Sequence, residues 1–425
     1  EMINDTVVII LAGGVGERLY PLTRERAKPA VYFGGPYRII DFTLSNCINS
    51  DLRRIFIATQ YKSLSLSRHI RLGWSVVAEE LGEFVEILPP QKRVGEHWYL
   101  GTADAVYQNL YSIEREQPKH VIVLSGDHIY KMDYGRMLSA HVEHGAAATI
   151  ATLDVPLGEA SRFGVIRVDE DSWVTGFQEK PRHPEPVPGS PDIALASMGI
   201  YVFEMATLVK ALEADAARPT SHDFGKDIFP TLIGHEKVFS YRFHDENKKA
   251  GRYWRDIGTL DAYFDANMDL CQVVPEFNLY DPEWPLRTYQ PQAPPAKFVF
   301  ADDGRRGEAL DSMISAGCIV SGSTIRGSIL CPNVRVHSFC DIEQSILMPG
   351  VKVGRHARIR RAIIDRDVLI PRGAVIGYDL VEDQKRHTVS ENGVVVVTAE
   401  DSPRTIEPDE DALRRERDAD SKSHD

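Results

Sequence analysis

Cysteine is scarce in this sequence, which has five in 425 residues. The count is odd, the positions are scattered and no C-x-x-C pair occurs. This pattern argues against a disulfide framework and against a cysteine zinc site. We interpret the cysteines as small buried hydrophobic side chains of a protein in a reducing compartment. They are Cys47, Cys271, Cys318, Cys331 and Cys340.

Long apolar runs are also missing. The longest runs, such as residues 6–12, fall far short of the ~20 residues that span a bilayer. No positively charged segment followed by an apolar stretch opens the sequence, as it would in a secretory signal. We therefore expect a cytoplasmic protein with no membrane partner.

Positive charge is in deficit, because 49 Lys and Arg residues stand against 62 Asp and Glu residues and give a net charge of −13. A nucleic-acid surface needs clustered Lys and Arg, so we expect no nucleic-acid partner. A small anionic ligand stays compatible, since a local basic pocket can exist in an acidic protein. The length and the 43% hydrophobic content suffice for two domains with separate cores.

Short apolar runs alternate with longer mixed segments over residues 6–270. This alternation predicts an α/β domain with a mostly parallel sheet, which we place at residues 1–280. The predicted strands are Val7–Leu11, Ile55–Thr59, Val121–Leu124, Ala147–Leu153 and Gly199–Phe203.

The pattern changes near residue 280. Five prolines between Asp281 and Lys297 predict an extended linker, which we place at residues 281–309. Aliphatic residues then recur about every six positions, a period that fits a parallel β-helix of hexapeptide repeats with one inward aliphatic residue on each side of its coil. We place this domain, with a role in oligomerisation and regulation, at residues 310–400. The recurring residues are Leu330, Val336, Ile342, Met348, Ile364, Ile370 and Ile376.

Two alternatives remain for the repeat region. A two-sheet β-sandwich is one, although turn pairs such as Asn-Gly are missing between the apolar runs. An acyltransferase domain is the other, but the region is short and offers only His337 and His356 as bases within the repeats.

The last residues, 401–425, are rich in charge and poor in large apolar side chains, so we expect a disordered tail.

A glycine-rich turn follows the first predicted strand at residues 12–19 (AGGVGERL). Glycines let backbone N–H groups approach a phosphate without obstruction by a Cβ atom. The turn is not a P-loop, which ends in Gly-Lys-Ser/Thr, and Leu19 stands where G-x-G-x-x-G needs its third glycine. Arg18 and Lys28 could close over a triphosphate from two sides.

The string G-G-x-G-x-R-L-x-P-L-T…K-P, in residues 13–29, resembles the opening of the sugar-nucleotide pyrophosphorylases. Residues 33–42 and 44–46 resemble the bacterial ADP-glucose pyrophosphorylases in particular, and the similarity extends over residues 6–398. The resemblance implies a Rossmann-like nucleotidyltransferase domain with a mostly parallel mixed sheet, followed by a left-handed parallel β-helix. The implied activity joins ATP to glucose 1-phosphate, releases pyrophosphate and supplies ADP-glucose for glycogen synthesis.

The resemblance also implies the residues of the nucleotide side. Arg18, Lys28 and Asp127 are the implied catalytic residues, and the glycine turn is part of the implied ATP site. That site comprises Leu11, Ala12, Gly13, Gly14, Gly16, Arg18, Lys28, Gln91 and Gly126.

Two distant acidic residues are expected to hold Mg²⁺. Asp127 follows a predicted strand, and a carboxylate at the carboxyl end of a strand faces the ligand crevice of an open α/β sheet. Asp256 lies in residues 253–259 (YWRDIGT). Both motifs match the family, and the resemblance implies that this pair binds the ion, whose other positions take phosphate oxygens and water. Positioning and charge neutralisation then suffice for an in-line attack, with no covalent nucleophile.

The sugar side is implied by residues 177–181 (FQEKP). By the family match, Glu179 accepts hydrogen bonds from sugar hydroxyls and Lys180 binds the sugar phosphate. Residues 221–227 (SHDFGKD) match a further active-site loop. The implied glucose 1-phosphate contacts are Tyr99, Gly164, Glu179, Lys180, Ser197 and Asp256.

Regulation follows from the same resemblance, because bacterial relatives respond to AMP and to sugar phosphates. An AMP-like site is implied at Arg26, Arg38, Arg115 and Arg366, whose guanidinium groups suit phosphate. The enteric site for fructose 1,6-bisphosphate includes a lysine where this chain has Glu25, and a carboxylate repels a bisphosphate. We therefore expect weak or altered activation by that ligand.

A homotetramer is also implied, since a β-helix leaves faces and ends to cover.

Two other functions stay open. The residues alone cannot select adenine, so the enzyme could use another nucleoside triphosphate or another sugar phosphate. The chain could also be a non-catalytic regulatory subunit, although such homologues lose active-site charges that this chain retains.

Overall fold

The computed structural model describes residues 1–60, 62–90 and 99–401. They form two units, the first comprising residues 1–33, 37–259 and 276–290 and the second comprising residues 34–36, 260–275 and those from 291 onward. This division differs from the predicted boundaries, because residues 260–275 join the second unit and 276–290 join the first. Residues 402–425, where we expect a disordered tail, lie outside the described residues.

The first unit alternates strands with helices in the order expected from its apolar runs. Its strands are β1 Thr6–Leu11, β2 Tyr32–Phe33, β3 Tyr37–Arg38, β4 Arg54–Ala58, β5 Phe84–Leu88, β6 His120–Ser125, β7 His128–Tyr130, β8 Ala148–Pro156, β9 Gly164–Val168, β10 Val174–Glu179, β11 Ile193–Glu204, β12 Val238–Arg242 and β13 Trp254–Asp256. Its helices are α1 Ile39–Asn49, α2 Leu64–Gly73, α3 Thr102–Gln108, α4 Leu110–Arg115, α5 Tyr134–His144, α6 Met205–Ala216 and α7 Phe229–Leu232, with a π-helical turn at Phe224–Ile228.

A mixed sheet of nine strands forms the centre of the first unit, in the order β10-β9-β11-β6-β1-β4-β5, with β8 beside β11 and β12 beside β8. The β5-β4-β1-β6 part is parallel, whereas β11 runs antiparallel to β6, β8 and β9. Strand β1 reads TVVIIL and is buried on both faces except at its last residue, as a parallel strand covered by helices on both sides requires. The predicted α/β fold is confirmed.

The buried side chains of this sheet form two apolar cores, one on each face. Alternate residues of β1 divide between them: Val8 and Ile10 pack in one core, and Val7 and Ile9 pack in the other. The carboxyl ends of β1 and β6 lie side by side, since Leu11 is the register partner of Ser125. The turns that follow these two strands therefore emerge at the same edge of the sheet.

The second unit is a coil of short parallel strands, which confirms the predicted hexapeptide β-helix. Three sheets form its sides, parallel throughout except for one antiparallel strand at the end of one sheet. Every recurring aliphatic residue named above is buried, which excludes the β-sandwich. Its elements are α8 Leu260–Asp269, β14 Lys297–Val299, β15 Ala301–Asp302, β16 Arg305–Arg306, β17 Glu308–Leu310, β18 Met313–Ile314, β19 Ile319–Ser321, β20 Thr324–Arg326, β21 Ile329–Leu330, β22 Arg335–Val336, β23 Asp341–Glu343, β24 Ile346–Leu347, β25 Lys352–Val353, β26 Arg358–Arg360, β27 Ala362–Ile364, β28 Leu369–Ile370, β29 Val375–Ile376, α9 Leu380–Gln384, β30 Thr388–Val389 and β31 Val395–Val397.

The coil begins earlier than expected, because β14, which lies inside the predicted linker, already pairs with β19. Residues 285–296 contain no helix or strand, in agreement with the proline-rich composition of that stretch. Among the described residues, no helix is both long enough and apolar enough to span a bilayer.

Candidate active site

The glycine-rich turn continues β1 at the carboxyl edge of the sheet. Gly16 adopts a left-handed backbone with φ of 65°, which glycine tolerates without strain. A Cβ atom at Gly16 would lie 2.9 Å from Cβ of Lys28 and 3.1 Å from Cγ2 of Thr23. Glycine at this position therefore lets the turn pack directly against the residue that carries the lysine.

A two-stranded ribbon explains how two acids far apart in sequence meet. Strand β7 follows the turn after β6 and pairs antiparallel with β13, with His128 opposite Asp256. Lys28, only 5% exposed, points its Nζ atom between the acids, 3.5 Å from Oδ2 of Asp127 and 3.2 Å from Oδ1 of Asp256. The ribbon thus brings two carboxylates to one ammonium group.

Asp127 is held in its ionised form. Burial works against ionisation, but His128, Lys28 and Ser125 outweigh it and hold the pKa of Asp127 well below its usual range. Its Oδ1 atom lies 2.8 Å from Nδ1 of His128 and accepts a hydrogen bond of 2.5 Å from Oγ of Ser125. The His128 ring stacks on Trp254 with centroids 4.7 Å apart, so the partner of the carboxylate is itself fixed by β13.

The pair of carboxylates fits a divalent metal. Their oxygens converge on one point, now held by the Lys28 ammonium, and each carboxylate remains partly accessible, at 27% for Asp127 and 41% for Asp256. A hard divalent cation takes one or two protein carboxylates and completes its shell with water and phosphate oxygens. Arg18 lies beside the pair, because a Cβ atom at Gly258 would be 3.0 Å from Nη2 of Arg18 and 3.0 Å from Oδ1 of Asp256.

The FQEKP segment, at the end of β10, forms a second wall of the site, in addition to the wall formed by Lys28, Asp127 and Asp256. Two glycines make room for Glu179: a Cβ atom at Gly164 would lie 3.1 Å from its Oε2 atom, and one at Gly225 would collide with it. Burial raises the pKa of Glu179, Asp223 adds to this effect, and Lys180 and Lys226 oppose it. The wall therefore presents a partly desolvated carboxylate with a cation as its neighbour in sequence.

A cleft of about 700 Å³ contains both walls. That volume suits a nucleotide or a sugar phosphate, since ligand pockets commonly measure ~300–1,000 Å³. Eleven of the predicted site residues line the cleft, namely Leu11, Gly14, Gly16, Arg18, Lys28, Asp127, Gly164, Glu179, Lys180, Ser197 and Asp256.

Other predicted residues lie elsewhere. Ala12 and Gly126 are buried behind the cleft, and Gly13 packs against Gln60. Tyr99 is 5% exposed, and its hydroxyl accepts a hydrogen bond of 3.2 Å from Nδ2 of Asn109, so its ring belongs to the interior. Gln91 lies outside the described residues.

Sequence reasoning assigned no role to several residues of the cleft. Tyr201 follows Ser197 on the irregular part of β11, and burial raises the pKa of its phenol. Trp254 lies two residues before Asp256 on β13 and therefore on the same face of the strand. This spacing is the sequence feature that indicates a position in the cleft. Arg162 and Phe163 precede β9 and carry no pattern that marks them. The lining residues without a predicted individual role are Val15, Glu17, Thr102, Val123, Ser125, His128, Arg162, Phe163, Met198, Gly199, Tyr201, Asp223, Phe224, Gly225, Trp254 and Gly258.

The four arginines of the predicted AMP-like site differ in their local surroundings. Arg26 and Arg38 are both buried and lie over the ring of Tyr32, at 5.9 and 4.4 Å from its centroid. Arg115 is exposed on α4. Arg366 lies in the second unit, where its Nε atom is 3.3 Å from Oδ2 of Asp367.

The cleft at the carboxyl edge of the mixed α/β sheet combines a glycine turn with cations and acids, which suits phosphate groups and a metal ion. The nucleotidyl transferase family model matches residues 7–273, and the model "GlmU-like, C-terminal hexapeptide" matches residues 294–397. Nucleotidyltransferases of this kind use a divalent metal.

Curated relatives cover nearly the whole chain. A glucose-1-phosphate adenylyltransferase of Koribacter versatilis is 60% identical over 93% of this chain and 95% of its own length. Proteins of the same name from Rhodopirellula baltica and Dechloromonas aromatica are 54% and 53% identical, over 93% and 94% of this chain and over 90% and 92% of their own lengths. The chain belongs to the glucose-1-phosphate adenylyltransferase family.

Proposed function

We propose that this protein joins ATP and glucose 1-phosphate in the described cleft and produces ADP-glucose and pyrophosphate, with Mg²⁺ as the metal. The observation that carries the proposal is the position of Lys28 between Asp127 and Asp256 in the same cleft as Glu179 and Lys180. Charges for a polyphosphate and an acceptor for hydroxyls are thus available in one cavity. The product would serve glycogen synthesis.

The reaction forms one bond and breaks one bond. A phosphate oxygen of glucose 1-phosphate attacks the α-phosphorus of ATP, and the bond from that phosphorus to the leaving pyrophosphate breaks in line. Two anions must approach and a third must leave, so cations near the phosphates do most of the work. Arg18 and Lys28 supply fixed positive charge to the triphosphate. Bound by Asp127 and Asp256, Mg²⁺ would supply further charge neutralisation at the phosphate oxygens.

The other wall selects and orients the sugar phosphate. Lys180 is suited to the phosphate group, and Glu179 is suited to the hydroxyls of the ring. Ser197 has its hydroxyl within 3.2 Å of the backbone N–H of Gly199, which fixes its position at the cleft. We assign the sugar site to these three side chains together with Gly164 and Asp256, and a contact with Tyr99 stays a prediction.

A pyrophosphate assay tests the proposal. The full chain is incubated with glucose 1-phosphate, Mg²⁺ and, in separate reactions, ATP, UTP, dTTP, GTP or CTP, and released pyrophosphate is measured. We expect release with ATP to exceed release with the other nucleotides. Comparable or faster release with another nucleotide would overturn the choice of ATP while leaving the nucleotidyl transfer intact.

The second candidate is a non-catalytic regulatory subunit. The presence of Arg18, Lys28, Asp127, Glu179 and Lys180 in one cleft favours a catalytic chain over this candidate. Pyrophosphate release by the purified chain alone distinguishes them, because a regulatory subunit would release none with any of the five nucleotides.

We further propose a homotetramer in the cytoplasm, with catalysis in the α/β unit and oligomerisation and regulation in the coil. Support comes from the five free cysteines and from the β-helix, whose terminal strands need covering. An AMP-like effector would use Arg26, Arg38, Arg115 and Arg366. The paired placement of Arg26 and Arg38 over Tyr32 supports their acting as one group.

A further inference from the structure

Three side chains converge at the edge of the sheet opposite to the cleft. His120 opens β6, Glu204 closes β11 directly opposite it in the antiparallel register, and His141 projects from α5. Oε1 of Glu204 lies 2.9 Å from Nε2 of His120 and 2.9 Å from Nε2 of His141. All three atoms lie within 4.8 Å of one another.

We propose that His120, His141 and Glu204 form a binding site for a divalent transition metal and that this metal is Zn²⁺. The site is independent of nucleotidyl transfer. Two imidazole nitrogens and one carboxylate oxygen are a donor set that zinc accepts, with water at its fourth position. Mg²⁺ is disfavoured here because it prefers oxygen ligands.

The distances suit such a site. Zinc bonds of ~2.0–2.2 Å in tetrahedral geometry separate neighbouring ligand atoms by about 3.4 Å. The two separations of 2.9 Å need only small outward movements to reach that spacing, and the third separation, between the two imidazole nitrogens, is at most 4.8 Å. Glu204 can make them, because its side chain is 41% exposed and also leaves an open path for the metal and for a water ligand.

Both histidines are buried. His141 is 0% exposed, and its ring packs edge-on against the ring of His120 with centroids 5.6 Å apart. His120 is 8% exposed, and its buried Nδ1 atom has no hydrogen-bond partner among the described residues. Because both rings are buried, the two nitrogen donors are held in place.

The surroundings also supply an outer shell. Nδ1 of His141 lies 2.7 Å from Oγ1 of Thr149 on β8. When Nδ1–H donates to this hydroxyl, the lone pair of Nε2 points toward Glu204, which is the tautomer that a metal ligand needs. Three strands and one helix thus contribute to the site, so a bound ion would join α5 to the sheet.

The site is remote from catalysis. His120 and Ser125 are the two ends of β6, which separates the metal site from the cleft by about 17 Å at ~3.3 Å per residue. Zinc binding and nucleotidyl transfer can therefore be measured separately. We expect bound zinc to raise the thermal stability of the protein without replacing Mg²⁺ in the cleft.

The experiment measures zinc binding to the full chain after removal of metals with a chelator. Zinc sulfate is titrated in excess Mg²⁺ against a coloured chelator, and the metal content of each chain is determined after dialysis. We expect one zinc ion per chain. Loss of an outer-shell partner already weakens metal sites ~10–100-fold, so Glu204→Gln and His120→Ala should weaken binding by more than about 100-fold.

Three controls keep the result interpretable. Asp127→Asn should bind zinc like the wild type, which separates this site from the cleft. His235→Ala removes an exposed histidine elsewhere in the first unit and should also leave binding unchanged. Glu204→Gln should retain pyrophosphate release and its circular dichroism spectrum, which shows that it folds.

Cobalt gives an independent signal, since Co²⁺ in a four-coordinate site of two histidines and one carboxylate absorbs visible light. Visible absorption should appear on titration of the wild type with Co²⁺ and be absent from Glu204→Gln. Equal zinc affinity in wild type and Glu204→Gln, or less than one zinc ion per chain, would overturn the proposal and leave the cluster as a purely structural hydrogen-bonded group.

Discussion

At the scale of single residues, the balance of charge around Lys28 governs what the cleft can do. The ammonium group is buried and faces two carboxylates, so it is oriented before any substrate arrives. A charge positioned in this way contributes more to stabilising phosphate charge than a mobile surface lysine does.

The first prediction concerns Asp127. Asp127→Asn keeps the shape of the side chain but removes the charge that pairs with Lys28 and that we propose as a metal ligand. We expect pyrophosphate release to fall at least about 100-fold. Asp154→Asn, at an exposed ion pair with Arg242 on the same sheet, serves as the matched control and should stay near the wild-type rate. A wild-type rate in Asp127→Asn would reject the assignment.

The second prediction concerns the pH dependence set by Glu179. Its ionised form is the better acceptor for sugar hydroxyls, and its pKa is raised by burial. As the pH falls through this raised pKa, kcat/KM for glucose 1-phosphate should fall, beginning above the ordinary carboxyl range near ~4.3. Glu179→Gln should lower kcat/KM by about 10–100-fold, the value of a charged hydrogen bond, and abolish this step.

Stability should change in the opposite direction for Glu179→Gln. A carboxyl group whose pKa is higher in the folded state than in the unfolded state lowers the free energy of unfolding once the pH exceeds its unfolded value. Removing the charge relieves that cost, so urea unfolding near pH 7 should show equal or greater stability. Glu170→Gln, in an exposed turn, should change neither quantity, and a pH step that persists in Glu179→Gln would assign the step to another group.

At the scale of elements, the turn after β1 shows how a glycine can position a lysine. Gly16 needs its left-handed backbone, and the space beside it is occupied by Lys28 and Thr23. The third prediction is that Gly16→Ala displaces Lys28 and reduces kcat/KM by about tenfold or more, since displacements of ~1 Å can cost ~100-fold.

Gly82→Ala separates the two effects of this substitution. Gly82 has a left-handed backbone with φ of 78° but open space around the position of a Cβ atom. It should lose about 1–2 kcal/mol of stability from backbone strain and keep its activity. Similar losses of activity in both variants would show that backbone strain, and not contact with Lys28, explains the Gly16→Ala result.

Elements with a strong local pattern could be predicted from the sequence, and elements defined by distant partners could not. The apolar run of β1 predicts the strand to within one residue, and the aliphatic period of six predicts the coil. By contrast, α8 has the composition of an ordinary amphipathic helix, and nothing local indicates that it joins the second unit.

The same distinction holds within the cleft. Charged residues in strings such as FQEKP could be predicted, whereas Tyr201 and Arg162 enter the cleft through pairing of β11, β9 and β10. Tyr99 shows the opposite case, because a matching string does not reveal that its ring packs inward against Asn109. The register between paired strands depends on the assembled sheet, so short sequence motifs contain little information about it.

At the scale of the whole molecule, regulation depends on how charge is distributed along an acidic chain. Glu25 lies near the glycine turn, two residues after Thr23, at the position that the family resemblance matches to a lysine of the enteric fructose 1,6-bisphosphate site. Each carboxylate near a bound phosphate costs about 1 kcal/mol in a well-hydrated site. The fourth prediction is that fructose 1,6-bisphosphate activates this protein weakly.

Reversing that charge should strengthen the response. Glu25→Lys exchanges a repulsive contact for an attractive one, so half-activation should occur at about tenfold lower fructose 1,6-bisphosphate. Glu236→Lys changes the net charge equally at an exposed position of the first unit and should leave the titration unchanged. The measurement is pyrophosphate release as a function of activator concentration. Strong activation of the wild type at low concentration would show that another cation replaces the enteric lysine. Equal responses in both variants would show that net charge, rather than Glu25, sets the affinity.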